Sequence, residues 1–202
     1  MKTTSELTTR AATEEDLSLV KSPDLEGCFD ADDTVVYEGT LRIEGDFDAS
    51  NDVLIVLGDL DASGTVALDE TGTLIVTGSL RAKNLSCEGN LEVHGTAEAR
   101  ETIFGFYEAG ITTFLGTIKA PLFLEGNHAF EYEDEQLAVT HHIRFDNFQA
   151  YEGDAAEVRK VLSDAALSRL DRLIGIATDD EDRPDDREEL LRSEGFLRPT
   201  AG

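Results

Sequence analysis

The sequence predicts an all-β fold: a single-stranded parallel β-solenoid, right-handed by default, of about five to six short coils. An amphipathic α-helix follows the coils. Three observations predict this. A nine-residue phrase recurs as LRIEGDFDA (41–49), LIVLGDLDA (54–62), LIVTGSLRA (74–82), LEVHGTAEA (91–99) and TTFLGTIKA (112–120). Glycines recur six residues apart, at Gly39/Gly45, Gly72/Gly78, Gly89/Gly95 and Gly110/Gly116, and Asp52 stands six before Gly58. Between these marks apolar and polar residues alternate, the period of a strand with one face inward.

Residues 1–32 have weak periodicity and read as a short helix or an unstructured N-terminal segment. Residues 33–150 form the solenoid. Each coil reads turn, five-residue strand, glycine, short strand, and glycine suits a corner because it accepts positive φ and lets stacked backbones approach. One parity of each phrase should point inward: Leu41, Ile43, Phe47 and Ala49 in the first copy, Leu54, Val56, Leu60 and Ala62 in the second. Leu74, Val76, Leu80 and Ala82, then Leu91, Val93, Ala97 and Ala99, then Phe114, Ile118 and Ala120 continue the pattern; Thr112 is the one poor fit. Val66/Leu68, Leu85/Cys87 and Leu122/Leu124 supply the remaining inward face. A degenerate sixth copy after Gly126 places His128 and Phe130 in the core slots. The central glycines, Gly45, Gly58, Gly78, Gly95 and Gly116, lie 13, 20, 17 and 21 residues apart. Their mean suits a three-faced coil, but their scatter argues against a strict hexapeptide helix and the acyltransferase activity such repeats suggest.

The outward parity carries charge. Asp48, Asp61, Arg81, Glu98 and Lys119 hold the same slot in successive phrases. The last four alternate in sign and should pair across coils. Asp48 on Asp61, and Asp46 on Asp59, should repel and be screened by salt. A second outward row, Ile55, Leu57, Ile75 and Leu115, is apolar and needs a cover. The candidate cover is the amphipathic helix of region 151–176, strongest over 154–174, where Val158, Val161, Leu162, Ala165, Leu170, Leu173 and Ile174 recur at three and four. Asp154 with Glu157 is its N-terminal capping box and Gly175 its stop. It should pack on the wall or cap the last coil; the alternative is a dimer contact. Residues 177–202 are an acidic tail.

Composition narrows the function classes. Forty-three acids against seventeen bases give a formal charge of −26. Such a surface repels nucleic acid and anionic membranes and attracts basic partners. High-salt adaptation, imitation of nucleic acid and acids gathered at the ends all produce this balance. No apolar run is long enough to span a bilayer, the N-terminus lacks a secretory h-region, and two cysteines make neither a disulfide framework nor a metal motif. A cytoplasmic protein is expected.

No catalytic, cofactor-binding or metal-ligating constellation is assigned, and no enzyme activity is expected. His141 and His142 lie near Glu135 and Asp146 in sequence, but neighbours in a strand point opposite ways. His94 is on the outward parity and reads as solvated. Cys87 shares the parity of Leu85 and reads as core. No serine sits in a nucleophile elbow, and phosphate-loop glycine patterns are missing. The aromatics Phe104, Phe106 and Tyr107 line a pocket, meet a partner or fill a widened coil. With Ile55, Leu57, Ile75 and Leu115 they are the candidate interaction residues.

Through phrases such as TLIVTGSLRA (73–82) and NLEVHGTAEA (90–99), the region 35–132 resembles the bactofilins, polymer-forming β-solenoid cytoskeletal proteins of bacteria. The resemblance implies a scaffold that assembles end to end without nucleotide, with itself as partner. Uneven coils and a helix that could block an end depart from that pattern. The other reading is an acidic binding module that occupies a basic protein, such as an immunity protein, a nuclease inhibitor or a nucleic-acid mimic.

Overall fold

The computed structural model describes residues 1–105, 110–125 and 128–144. The amphipathic region 151–176, the acidic tail 177–202, Phe106, Tyr107 and Asp146 lie outside the described residues. Two short strands, β1 (Lys2–Thr3) and β2 (Arg10–Ala11), and a one-turn helix α1 (Glu14–Leu17) come first. The first coil is β3 (Thr34–Glu38), β4 (Leu41–Ile43) and β5 (Phe47–Asp48). The second is β6 (Val53–Leu57), β7 (Leu60–Ala62) and β8 (Thr65–Leu68). From the third coil on, the second and third faces run as one bent strand. The pairs are β9 (Thr73–Val76) with β10 (Leu80–Cys87), and β11 (Asn90–Val93) with β12 (Ala97–Gly105). Next come β13 (Ile111–Phe114) with β14 (Ile118–Glu125), and β15 (Ala129–Glu131) with β16 (Leu137–Arg144).

Every coil-to-coil pairing is parallel, as a β-solenoid of about five turns requires. The first face stacks β3, β6, β9, β11, β13 and β15. The second stacks β4 and β7 on the first halves of β10, β12, β14 and β16; the third stacks β5 and β8 on their second halves. The expected inward rows fill one continuous core, including Leu54, Leu74 and Leu91 on the first face and Leu60, Leu80 and Ile118 on the second.

The register corrects the sequence reading at its first copy. Tyr37 lies beside Val56, Val56 beside Val76, Val76 beside Val93 and Val93 beside Phe114, steps of 19, 20, 17 and 21 residues. The 13-residue interval is no coil. Leu41 pairs with Leu60, not Leu54, so the phrase 41–49 occupies the second and third faces while the other four occupy the first and second. Gly39 therefore underlies Gly58, and Gly45 underlies Gly64, whose N–H donates to the Gly45 carbonyl at 2.8 Å. Alternation with a corner glycine fits either pair of adjacent faces, and parity alone does not say which corner a glycine turns.

The corner column Gly39, Gly58, Gly78, Gly95, Gly116 has a steric reason. Gly39 has φ +89°, and a Cβ on Gly78 would stand 2.6 Å from the Gly58 carbonyl carbon. Backbones this close leave no room for a side chain.

Two further corrections concern the last coils. Phe123, not Leu122 and Leu124, points into the core, because Leu85, Ile103 and Phe123 stack in register. All three residues of that LFL run are apolar, so the alternation that decides parity elsewhere is silent there. In the sixth coil Phe130 aligns with Thr112, which puts Phe130 and Tyr132 in the core slots and His128 one step before them. Thr112 stays buried in the column, its Oγ1 at 2.9 Å from His128 Nε2.

Candidate interaction surfaces

The outward row of the first face reads Val36, Ile55, Ile75, Glu92, Thr113, Glu131. Its apolar half is covered by the chain's own N-terminal segment. Ala12, Leu17, Val20 and Phe29 pack on Val36, Ile55 and Ile75, with Leu57 at the margin. Ile55 and Ile75 have no exposed surface. The sequence assigned this row a cover but looked for it near the C-terminus. The true one has no long helical period; its signals are the capping box Thr13–Asp16 and four scattered apolar residues.

The segment is pinned at both ends. Arg10 donates to both carboxylate oxygens of Asp16, at 2.7 and 2.9 Å, and to Glu38 at 2.8 Å. The Arg10 hydrogen bonds hold the Asp16 carboxyl well below the usual carboxylate range, and the same contacts raise Arg10. The other pin is Glu92, a carboxylate with no exposed surface. It accepts the backbone N–H of Lys21 at 2.9 and 3.0 Å, the N–H of Ser22 at 2.8 Å, and lies 2.5 Å from His94 Nε2. Burial pushes the Glu92 pKa up, but the hydrogen bonds from His94, Ser22 and Lys21 outweigh it and leave the pKa lowered. Ser22 also donates to Glu131 at 3.0 Å, as Thr113 does at 2.6 Å. Glu92 was passed over in the sequence because acids abound. Its signal was position: it breaks the apolar row two coils above Ile55. His94, expected in solvent, is a half-buried partner of this carboxylate.

The second face carries the charge ladder in a better form than expected. The observed register replaces Asp48 by Arg42, which lies beside Asp61. Arg42, Asp61, Arg81, Glu98 and Lys119 then alternate without a break. Arg81 Nε is 4.0 Å from Glu98, and Lys83 is 3.7 Å from Glu101 on the neighbouring row. Asp48 sits beside Ala67 instead. Asp46 and Asp59 do not face each other: each accepts a backbone N–H of the coil above, Thr65 at 2.8 Å and Ser79 at 2.7 Å. Ser79 repeats the arrangement, accepting from Thr96 at 3.1 Å. What read as a repulsion of Asp46 by Asp59 is a pair of corner caps.

At the C-terminal end, Phe114, Phe123, Phe130, Tyr132 and His142 cluster, Phe123 meeting Phe114 and Phe130 edge-on and His142 lying parallel to Phe123 at 4.9 Å. Tyr132 donates to Glu125, and His142 Nε2 is 3.0 Å from the same carboxylate. β15 and β16 end the two sheets, and no described residue pairs with their outer edges. Phe130, Tyr132, Leu137 and Val139 are only half-buried there. At the opposite end β1 pairs with β5 and β2 runs antiparallel on β3, so two of three faces begin occupied.

Of the remaining candidate residues, Phe104 is buried and Leu115 is 43 % exposed. Cys87 is in the core, as its parity indicated, and burial pushes its thiol up to about 12. Among the described residues no helix is long and apolar enough to cross a membrane. No known family, curated protein or solved structure matches this chain. A β-solenoid of this kind is a scaffold-like repeat architecture.

Proposed function

We propose that this chain is a non-enzymatic scaffold of the bactofilin-like kind its repeat phrase resembles, and that it associates with a second copy through its C-terminal end coil. The end coil carries the reading. Parallel strands whose outer edges pair with no described residue, lined by half-buried aromatics, are what one solenoid offers another. β1 and β2 occupy two of the three faces at the other end, which favours a closed two-fold pair over an open filament. The charge ladder and the corner caps on the outer walls serve coil stacking.

The test is mass by light scattering over a hundredfold dilution, in low and high salt, with negative-stain images of the same samples. A dimer that Tyr132→Asp or Leu137→Asp converts to monomer supports the reading. A monomer throughout sinks it. A monomer that forms a salt-sensitive complex with a basic protein would support the acidic binding module instead.

A further inference from the structure

The outer wall of the third face points to a permanent occupant. Inward on this face stand Val66, Leu85, Ile103 and Phe123. Outward, in register, stand Ala67, Ser86, Phe104 and Leu124, flanked by Asn84, Thr102 and Leu122. Side chains on the outer wall of a bare solenoid meet water, as Arg42, Arg81 and Lys119 do on the second face. Those of the third face do not: Ser86 is 0 %, Leu124 1 % and Phe104 2 % exposed. Leu122, Phe123 and Leu124 form a run apolar on both parities, the pattern of a strand covered on both sides.

We infer that residues 154–174 of this same chain lie on that wall. The N-terminal segment is committed elsewhere, to Val36, Ile55, Ile75 and Glu92 on the first face. The chain enters residue 145 from β16, whose second half is itself the last strand of the third face. Nine residues, 145–153, reach up to about 30 Å, enough to turn back onto the wall. Region 154–174 has the apolar stripe to match it, and as a helix would run about 30 Å, comparable with five coils at about 4.8 Å each. It carries four bases, Arg159, Lys160, Arg169 and Arg172, against four acids, in a chain whose formal charge is −26. Such a neutral segment meets less repulsion from Glu88, Glu101 and Glu125 at the wall's margin than the acidic tail would. This inference does not rest on the end-coil pairing.

The test uses the full chain carrying Ser86→Cys and Cys28→Ser, followed with a thiol reagent. Cys87 reports unfolding, because it reacts only when the core opens. The Ser86→Cys thiol is expected to be slow, and adding Leu162→Asp to speed it at least a hundredfold while Cys87 stays silent. A Leu162→Asp chain whose Ser86→Cys thiol remains slow overturns the inference. Protection that fades over a hundredfold dilution also overturns it, because a second copy would then be the cover. Should Leu162→Asp expose Cys87, amide exchange on the unaltered chain decides: protected amides across 158–170 support the inference, and exchange at free-chain rates overturns it.

Discussion

Replacing Glu92 with alanine removes one carboxylate and leaves two backbone donors, the N–H groups of Lys21 and Ser22, without an acceptor. A buried unpaired donor costs about 1–3 kcal/mol, so two come to about 3 kcal/mol or somewhat more. The loss falls on the N-terminal cover, since the core columns of the first face do not involve Glu92's side chain. About 3 kcal/mol is more than a hundredfold in an opening equilibrium. The assay is amide exchange at Lys21 and Ser22, with trypsin cleavage after Lys21 as a second readout. Glu92→Ala should accelerate both by about that factor. Glu92→Gln keeps one accepting oxygen and should fall between. Unchanged exchange at these two amides would refute the reasoning. Acid should mimic the substitution: the folded pKa of Glu92 is lowered, so its contribution is present above the unfolded value and lost as pH falls through the folded one. The cover should therefore be shut at neutral pH and loosen only under acid conditions.

Three other outcomes follow from the same geometry. In the native chain a thiol reagent should modify Cys28, which is exposed, and leave Cys87 untouched until denaturant is added; two fast thiols would contradict the core placement. Gly78→Ala should lower stability by about 2–3 kcal/mol in a urea titration, because its Cβ would meet the Gly58 backbone; an unshifted midpoint would remove the steric argument. Arg81→Glu places like charges beside Asp61 and Glu98 and should cost about 1 kcal/mol at low ionic strength. At about 1 M salt that loss should shrink; a loss that salt does not change would mean the ladder is not electrostatic.

The core was legible because alternation fixes parity wherever one side is polar: Leu41 and Ile43 about Arg42, Leu60 and Ala62 about Asp61, and Leu80 and Ala82 about Arg81 could be placed from sequence alone. Where both parities are apolar, as at Leu122–Leu124, or where two corners look alike, as at Gly45, sequence does not choose and hydrogen-bond register does. The apolar row Ile55 and Ile75 was rightly read as needing a cover. The cover was misassigned, because a strap of isolated contacts, Leu17, Val20 and Phe29, has no period to detect. Glu92 was legible only as a break in that row, and its role was hidden for a different reason. Its importance comes from two backbone N–H groups 71 and 70 positions away, and backbone donors leave no trace in composition.

The most direct test of the account is a pair of disulfide traps for the first-coil register. In a Cys28→Ser background, Arg42→Cys with Asp61→Cys joins neighbouring strands about 4.8 Å apart, inside the about 4.4–6.8 Å span a disulfide bridges. Asp48→Cys with Asp61→Cys joins different faces. Mild oxidation should close the first pair and leave the second open, seen as a faster band on a non-reducing gel. Closure of the Asp48/Asp61 pair alone would restore the 13-residue coil and contradict the stack described here.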